Sequence, residues 1–214
     1  MFVRKIMALP FVPNKHRVKI LLSTLKEKLC GLDFSMPDRM YDRNRNDGAM
    51  YVASPDGILS DLLSQVDMER FRGFLDIGCG KGYVLWKAQQ WGFSRVGGVE
   101  YDEKLCRVCM RNLRRLGLQD RVEVTCGDAC RFQNYGDYDV FYFFNPFGED
   151  VMRRVLREIL RQCRGREIIL LYFRPRYAAA IEECGCFRLI ARLHDQEKGY
   201  DAHVYRGKIP EEMS

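Results

Sequence analysis

The chain has 214 residues, 47% hydrophobic and 30% charged, with a net charge of +6. That length suits one domain with a short appendage, and the composition supplies a full core at a charge fraction ordinary for a soluble protein. No apolar run reaches the ~20 residues of a transmembrane helix, and the opening MFVRKIMALPFVPNKHR lacks the apolar segment of a secretory signal, so a cytoplasmic location is expected.

The first periodic segment is NKHRVKILLSTLKEKLCG. It predicts a helix capped at Asn14, with Val18, Leu21, Leu22, Leu25 and Leu29 on one stripe and Gly31 as its stop. A polar loop, DRMYDRNRNDG, follows. Ser54-Pro55-Asp56 then reads as a second helix start, with that helix running to about Val66. Residues 1–70 are read as a helical N-terminal extension, a candidate lid, and 71–214 as the main domain.

From Phe71 onward, apolar runs alternate with helical patterns. The runs are FLDI, RVGGVE, VEVTC, YDVFYFF and EIILLYF, and helices are expected near Gly82–Trp91, Glu103–Leu116 and Glu149–Cys163. Such alternation predicts parallel strands joined by right-handed helical crossovers, covered on both faces. Two further runs, FRLIARLHD and YDAHVYRG, flank the turn QEKG and predict an antiparallel pair. The expected fold is α/β: a doubly wound, Rossmann-like, mostly parallel seven-stranded sheet with an antiparallel C-terminal hairpin.

In an open α/β sheet the ligand site lies beyond the carboxyl ends of the strands. There the sequence places Asp76 and the loop Gly78-Cys79-Gly80-Lys81-Gly82 after the first strand, and Glu100-Tyr101 after the second. Asp128-Ala129 follows the third and Asn145-Pro146-Phe147 the fourth. Tyr83 stands where a dinucleotide loop carries its last glycine, which argues against a pyrophosphate. A carboxylate at 100 suits the vicinal hydroxyls of a ribose, and one at 128 an exocyclic amine.

LDIGCGKG, GVEYDEKL, CGDA and FFNPFG together resemble the motifs of class I methyltransferases that use S-adenosyl-L-methionine. The likeness covers roughly Ser54 to Arg206. It implies that Gly78, Cys79, Gly80 and Gly82 let the backbone approach the methionine part of the cofactor, that Asp76 faces its ammonium, and that Glu100 takes the ribose. Asp128 and Ala129 would take adenine, Tyr101 would pack on its face, and Tyr51 and Ser54-Pro55 would cover the site. Asn145 and Pro146 would present acceptor atoms to a substrate nitrogen, with Phe147 beside the methyl group. The family's amino-methylating members usually read Asn/Asp-Pro-Pro-Tyr/Phe, so this chain is one proline short.

The resulting expectation is methyl transfer to nitrogen, less favourably to oxygen, with a protein or small molecule as acceptor. The alternatives are an RNA or DNA methyltransferase, a non-catalytic nucleic-acid-associated module, and, less favoured, an NAD-dependent oxidoreductase. Arginines 107, 111, 114 and 115 on one helix and 153, 154, 157, 161 and 164 on another are read mainly as solvated faces. The nine cysteines read as reduced thiols, and no metal site is expected, although Cys106, Cys109, Cys126 and Cys130 have spacings near those of zinc ligands. The sequence names neither the acceptor nor the oligomeric state.

Overall fold

Seven strands form one sheet in the order β3-β2-β1-β4-β5-β7-β6 in the computed structural model. It describes residues 14–35 (side chains from Leu22), 51–145, 147–195 and 199–211. The strands are β1 (Gly73–Ile77), β2 (Arg95–Glu100), β3 (Val122–Cys126), β4 (Val140–Phe144), β5 (Glu167–Phe173), β6 (Phe187–Asp195) and β7 (Tyr200–Lys208). The first five pair in parallel, and β7 enters antiparallel between β5 and β6. The polar loop 38–48, Pro146 and most of the QEKG turn lie outside the described residues.

The helices are α1 (Asn14–Leu29), α2 (Asp56–Leu63), α3 (Tyr83–Trp91), α4 (Glu103–Arg115), α5 (Glu149–Gln162) and a short α6 (Ala178–Glu182) that the sequence pattern did not signal. Alternate strand residues feed two cores. Phe74, Val96, Val140, Tyr142 and Leu171 pack with α2 and α3 on one face. Leu75, Ile77, Phe141, Phe143, Leu170 and Tyr172 pack with α5 on the other. Apolar cover on both faces is why these strands read as near-continuous hydrophobic runs. Among the described residues no helix is long and apolar enough to cross a membrane.

Two local expectations change. Pro55, not Ser54, takes the cap position of α2. Ser54 turns inward and its hydroxyl hydrogen-bonds the buried Tyr142 hydroxyl at 2.8 Å, because a buried phenol must find a partner. On α1 the leucines face outward, with Leu22, Leu25 and Leu29 exposed. Its buried position is Thr24, and Glu27 folds the following chain by accepting from the N–H groups of Phe34 (2.7 Å) and Ser35 (2.8 Å). In the hairpin, His194 pairs across the strands with Asp201, and His203 with Arg192.

One side-chain amide ties the segment after α1 to the sheet domain. Asn112 on α4 is fully buried; its side chain accepts from Asp33 N–H (3.1 Å) and donates to the carbonyls of Asp33 and Lys81 (3.0 Å each). Phe34 then stacks on Trp86 with ring centroids 5.6 Å apart and planes 5° apart. Asn112→Ala leaves three backbone groups without this partner. The expected loss is about 2–3 kcal/mol, read by denaturant unfolding, together with faster proteolysis at residues 32–35.

Candidate cofactor site

The carboxyl ends of β1 to β5 open into a cavity of about 1660 Å³. Its lining includes Asp76, Gly78, Cys79, Gly80, Glu100, Tyr101, Asp128, Ala129, Asn145 and Phe147, and thus brings together the groups singled out in the sequence. Gly82, two positions after Gly80, is not part of that lining. It caps α3 at φ 83°, and a Cβ there would meet Cys109 Sγ at 2.6 Å. Its glycine serves helix packing. Gly80, at φ 53°, has the ring of Tyr51 where a Cβ would stand, 2.3 Å from the nearest ring carbon. Tyr51 therefore roofs the loop, and its hydroxyl donates to the Phe34 carbonyl at 2.8 Å.

The loop is pinned to β2. Gly78 and Cys79 donate to the Val99 carbonyl at 2.8 and 3.1 Å. Glu100, 4% exposed, accepts from Gly80 N–H through Oε2 and from Asp102 N–H through Oε1, both at 2.8 Å. Glu100 lines the cavity, and its two carboxylate oxygens make an acceptor pair of the kind that suits a vicinal diol. Burial pushes the Glu100 carboxyl up, and its amide donors pull it partly back.

Asp76 is 3% exposed, and among the described residues no hydrogen-bond donor reaches its carboxylate. Burial, and secondarily the Glu100 charge, raise its carboxyl well above the ordinary value. A buried carboxylate without a partner is costly. A cationic ligand group entering the cavity would supply what the protein does not. Asp128 caps the turn after β3 by accepting from Cys130 N–H at 2.9 Å. It keeps one oxygen uncommitted by that bond.

At the far end, β4 and β5 finish side by side, with Phe144 paired to Phe173. The next residues, Asn145 and Arg174, are the two non-glycine residues with positive φ among those described, at 40° and 51°. Asn145 Oδ1 accepts from the Tyr172 hydroxyl at 3.0 Å. Sequence reasoning missed the whole β5 end. Arg174, Arg176 and Tyr177 line the cavity, and nothing in a plain Arg-Pro-Arg-Tyr string signals a left-handed turn.

A second cavity of about 990 Å³ lies between α3, α4 and the opposite ends of β2 and β3, lined by Gln89, Phe93, Arg95 and Arg121. It has no glycine loop, and it sits at the strand edge away from the residues above.

Residues 74–165 match the family model described as "Methyltransferase domain". The chain is 33% identical over 78 residues to an rRNA N(6)-adenosine-methyltransferase of Caenorhabditis elegans, covering 35% of this chain and 36% of that protein. It is 31% identical over 96 residues to a probable cobalt-precorrin-6B C(15)-methyltransferase of Pyrobaculum calidifontis, covering 44% and 47%. The chain thus spans under half the length of these curated relatives. Among solved structures, an RNA methyltransferase of Salinibacter ruber in complex with S-adenosyl-L-homocysteine superposes with a TM-score of 0.55 at 22% identity, over 76% of this chain and 97% of that one. Residues 74–165 are thus similar to a methyltransferase domain, and the seven-stranded sheet has the fold of the solved methyltransferase structure.

The raised Asp76 carboxyl has a signed consequence. A folded-state pKa above the unfolded 3.8 means that apo stability falls as pH rises from 3.8 through the raised folded value. Asp76→Asn removes that loss. In thermal melts across a pH series the variant should match wild type below pH 3.8 and exceed it increasingly above; parallel curves would show that Asp76 is not buried in charged form.

Proposed function

We propose that the protein transfers the methyl group of S-adenosyl-L-methionine to a nitrogen of its acceptor. The observation that carries this reading is the pair of buried carboxylates, Asp76 (without a donor among the described residues) and Glu100, in one cavity with Asn145. When bound, S-adenosyl-L-methionine supplies a methyl group already activated on a sulfonium.

The chain's own residues bind and orient. Asp76 takes the cofactor's ammonium, Glu100 the ribose hydroxyls, Asp128 the adenine amine, and Tyr101 lies along its face. The extension over residues 1–70 acts as a lid at the methionine end, a role supported by the Tyr51 ring over Gly80 and by the anchoring of Asp33 and Phe34. At the acceptor end Asn145 Oδ1, already oriented by Tyr172, offers its second lone pair to a substrate N–H. That bond turns the nitrogen lone pair toward the methyl group, and alignment is the main contribution a protein makes to such a displacement. Phe147 flanks the reacting centre, and Pro146, outside the described residues, offers its carbonyl as a second acceptor. Nitrogen is favoured over oxygen because a neutral amine is nucleophilic enough to attack before it loses its proton, whereas a hydroxyl oxygen needs a base to remove its proton first.

Calorimetry with S-adenosyl-L-homocysteine should show Glu100→Ala losing about tenfold or more in affinity, as two charge-assisted hydrogen bonds are removed. Unchanged affinity would remove Glu100 from the ribose role. With labelled cofactor and fractionated lysate, Asn145→Ala should bind cofactor about as wild type and lose about a hundredfold or more in transfer. Equal turnover would exclude it from the mechanism.

A further inference from the structure

Of the nine arginines that the sequence grouped on helices, only Arg107 lines the cavity, and it pairs with Glu103; Arg111 pairs with Asp33, Arg153 with Glu149 and Glu183, and Arg161 with Glu158. The turn after β5 is different. Arg174 and Arg176 are exposed, line the cavity beside Asn145, and form no ion pair with any described carboxylate. Asp150, on the first turn of α5, lines the same cavity without pairing with either.

Their guanidinium groups rest on aromatic faces. Arg174 Cζ lies 4.8 Å from the Tyr200 ring centroid and 5.7 Å from that of Phe173, and Arg176 Cζ lies 5.6 Å from Tyr177. An arginine stacked through its face keeps its N–H edge free for forked bonds to an oxyanion. The turn is also indexed to the reacting end. Arg174 N–H donates to the Asp201 carbonyl and Arg176 N–H to the Arg174 carbonyl, each at 2.7 Å. Tyr177 N–H donates to the Tyr172 hydroxyl (3.3 Å), which donates on to Asn145 Oδ1. A non-glycine residue held left-handed is retained where the surroundings over-determine it, and such residues cluster at ligand clamps.

Phe144, Phe147 and Tyr177 add apolar rings to the same end of the cavity. The cavity volume of about 1660 Å³ exceeds the ~300–1,000 Å³ of an ordinary small-molecule site and so leaves room for an acceptor beside a cofactor. Two free guanidinium forks flanking aromatic rings match a phosphate joined to a planar ring system; a lone carboxylate needs one fork.

We infer that the acceptor is a nucleotide, free or within a strand, whose phosphate is held by Arg174 and Arg176 while its base is presented to Asn145. This rests on reading the Asn145 end of the cavity as the acceptor end. Arg174 and Arg176 act as specificity residues, since they touch the phosphate and not the reacting atoms. The transferred methyl and the proton released from nitrogen are those of the proposed reaction, and no further reactant is required.

The test saturates the protein with S-adenosyl-L-homocysteine, so that the adenosine end is filled, and titrates three probes. These are a mixture of the four 5′-mononucleotides, the same four nucleosides without phosphate, and a short fluorescein-labelled RNA of mixed sequence. Wild type should bind at least one phosphorylated probe, and the nucleosides more weakly. The double variant Arg174→Ala/Arg176→Ala should lose about tenfold or more of that affinity and keep S-adenosyl-L-homocysteine affinity within about twofold, as expected for separated sites. For the RNA, the salt slope should flatten by about 0.7 per lost phosphate contact. RNA binding without mononucleotide binding identifies a strand, and comparable binding of both a free nucleotide. The inference is overturned if neither phosphorylated probe binds, if the nucleosides bind as well as the nucleotides, or if the variant binds like wild type. Failure of wild type to bind S-adenosyl-L-homocysteine would instead overturn the methyltransferase reading beneath it.

Discussion

One carboxylate organises the cofactor end. Glu100 accepts from the amide of Gly80 on one side and of Asp102 on the other. It thereby joins the end of β2, the glycine loop after β1 and the start of α4, where Asp102 in turn caps the helix by accepting from Lys104 and Leu105. Two backbone donors let this buried group tolerate charge. Asp76, a strand away and slightly more buried, receives none among the described residues. The asymmetry separates their parts: Glu100 is built into the loop's structure and has capacity to spare, whereas Asp76 is left for something cationic to complete. A protein folded purely for stability would give Asp76 a donor or replace it with an apolar residue.

The loop between the two acids is clamped from its outer side as well. Lys81 is buried, pairs with Asp33 at 2.9 Å and lies 5.2 Å from the Tyr51 ring centroid. Its carbonyl accepts from Asn112. The chain before β1 therefore meets the loop at two consecutive positions, Tyr51 over Gly80 and Asp33 on Lys81, and α4 meets it at the next, with Cys109 against Gly82. Substitutions far upstream in sequence act on the cofactor loop through these contacts, and shortening residues 32–51 would disturb the loop before it disturbed the sheet.

The sheet and its ligand edge were legible in the sequence because they rest on local signals. RVGGVE, VEVTC and EIILLYF are apolar runs with clear ends, and β2, β3 and β5 begin and end on those residues. The polar groups past four strands announced the cavity because topology alone brings strand ends together. What stayed hidden depends on long-range partners. Asn112 sits in a helix where asparagine is unremarkable, and its partner Asp33 is 79 positions away. The leucines of α1 suggested an inward stripe, yet Glu27 and Thr24 face inward, since the hydrogen bonds of the following turn decide how that helix sits. Gly82 carried the same motif signal as Gly80; only the position of Cys109 separates packing from ligand approach.

The antiparallel ending bears on the Asn145 end of the cavity. β7 inserts between β5 and β6, and its pairing with β5 continues past Phe173 and Ala202 to the bond from Arg174 N–H to the Asp201 carbonyl. In a sheet whose fifth strand had only a parallel neighbour on that side, a bond at this register would slant along the strands rather than cross perpendicular to them. Here it fixes Arg174 in a left-handed conformation that costs about 1–3 kcal/mol for a non-glycine residue, and Tyr200 from the same strand offers its ring to the guanidinium. Asn145, one strand over, bears a similar cost and is fixed by Tyr172. The hairpin thus does more than extend the sheet: it supplies the carbonyl and the aromatic face that hold a strained turn next to the asparagine.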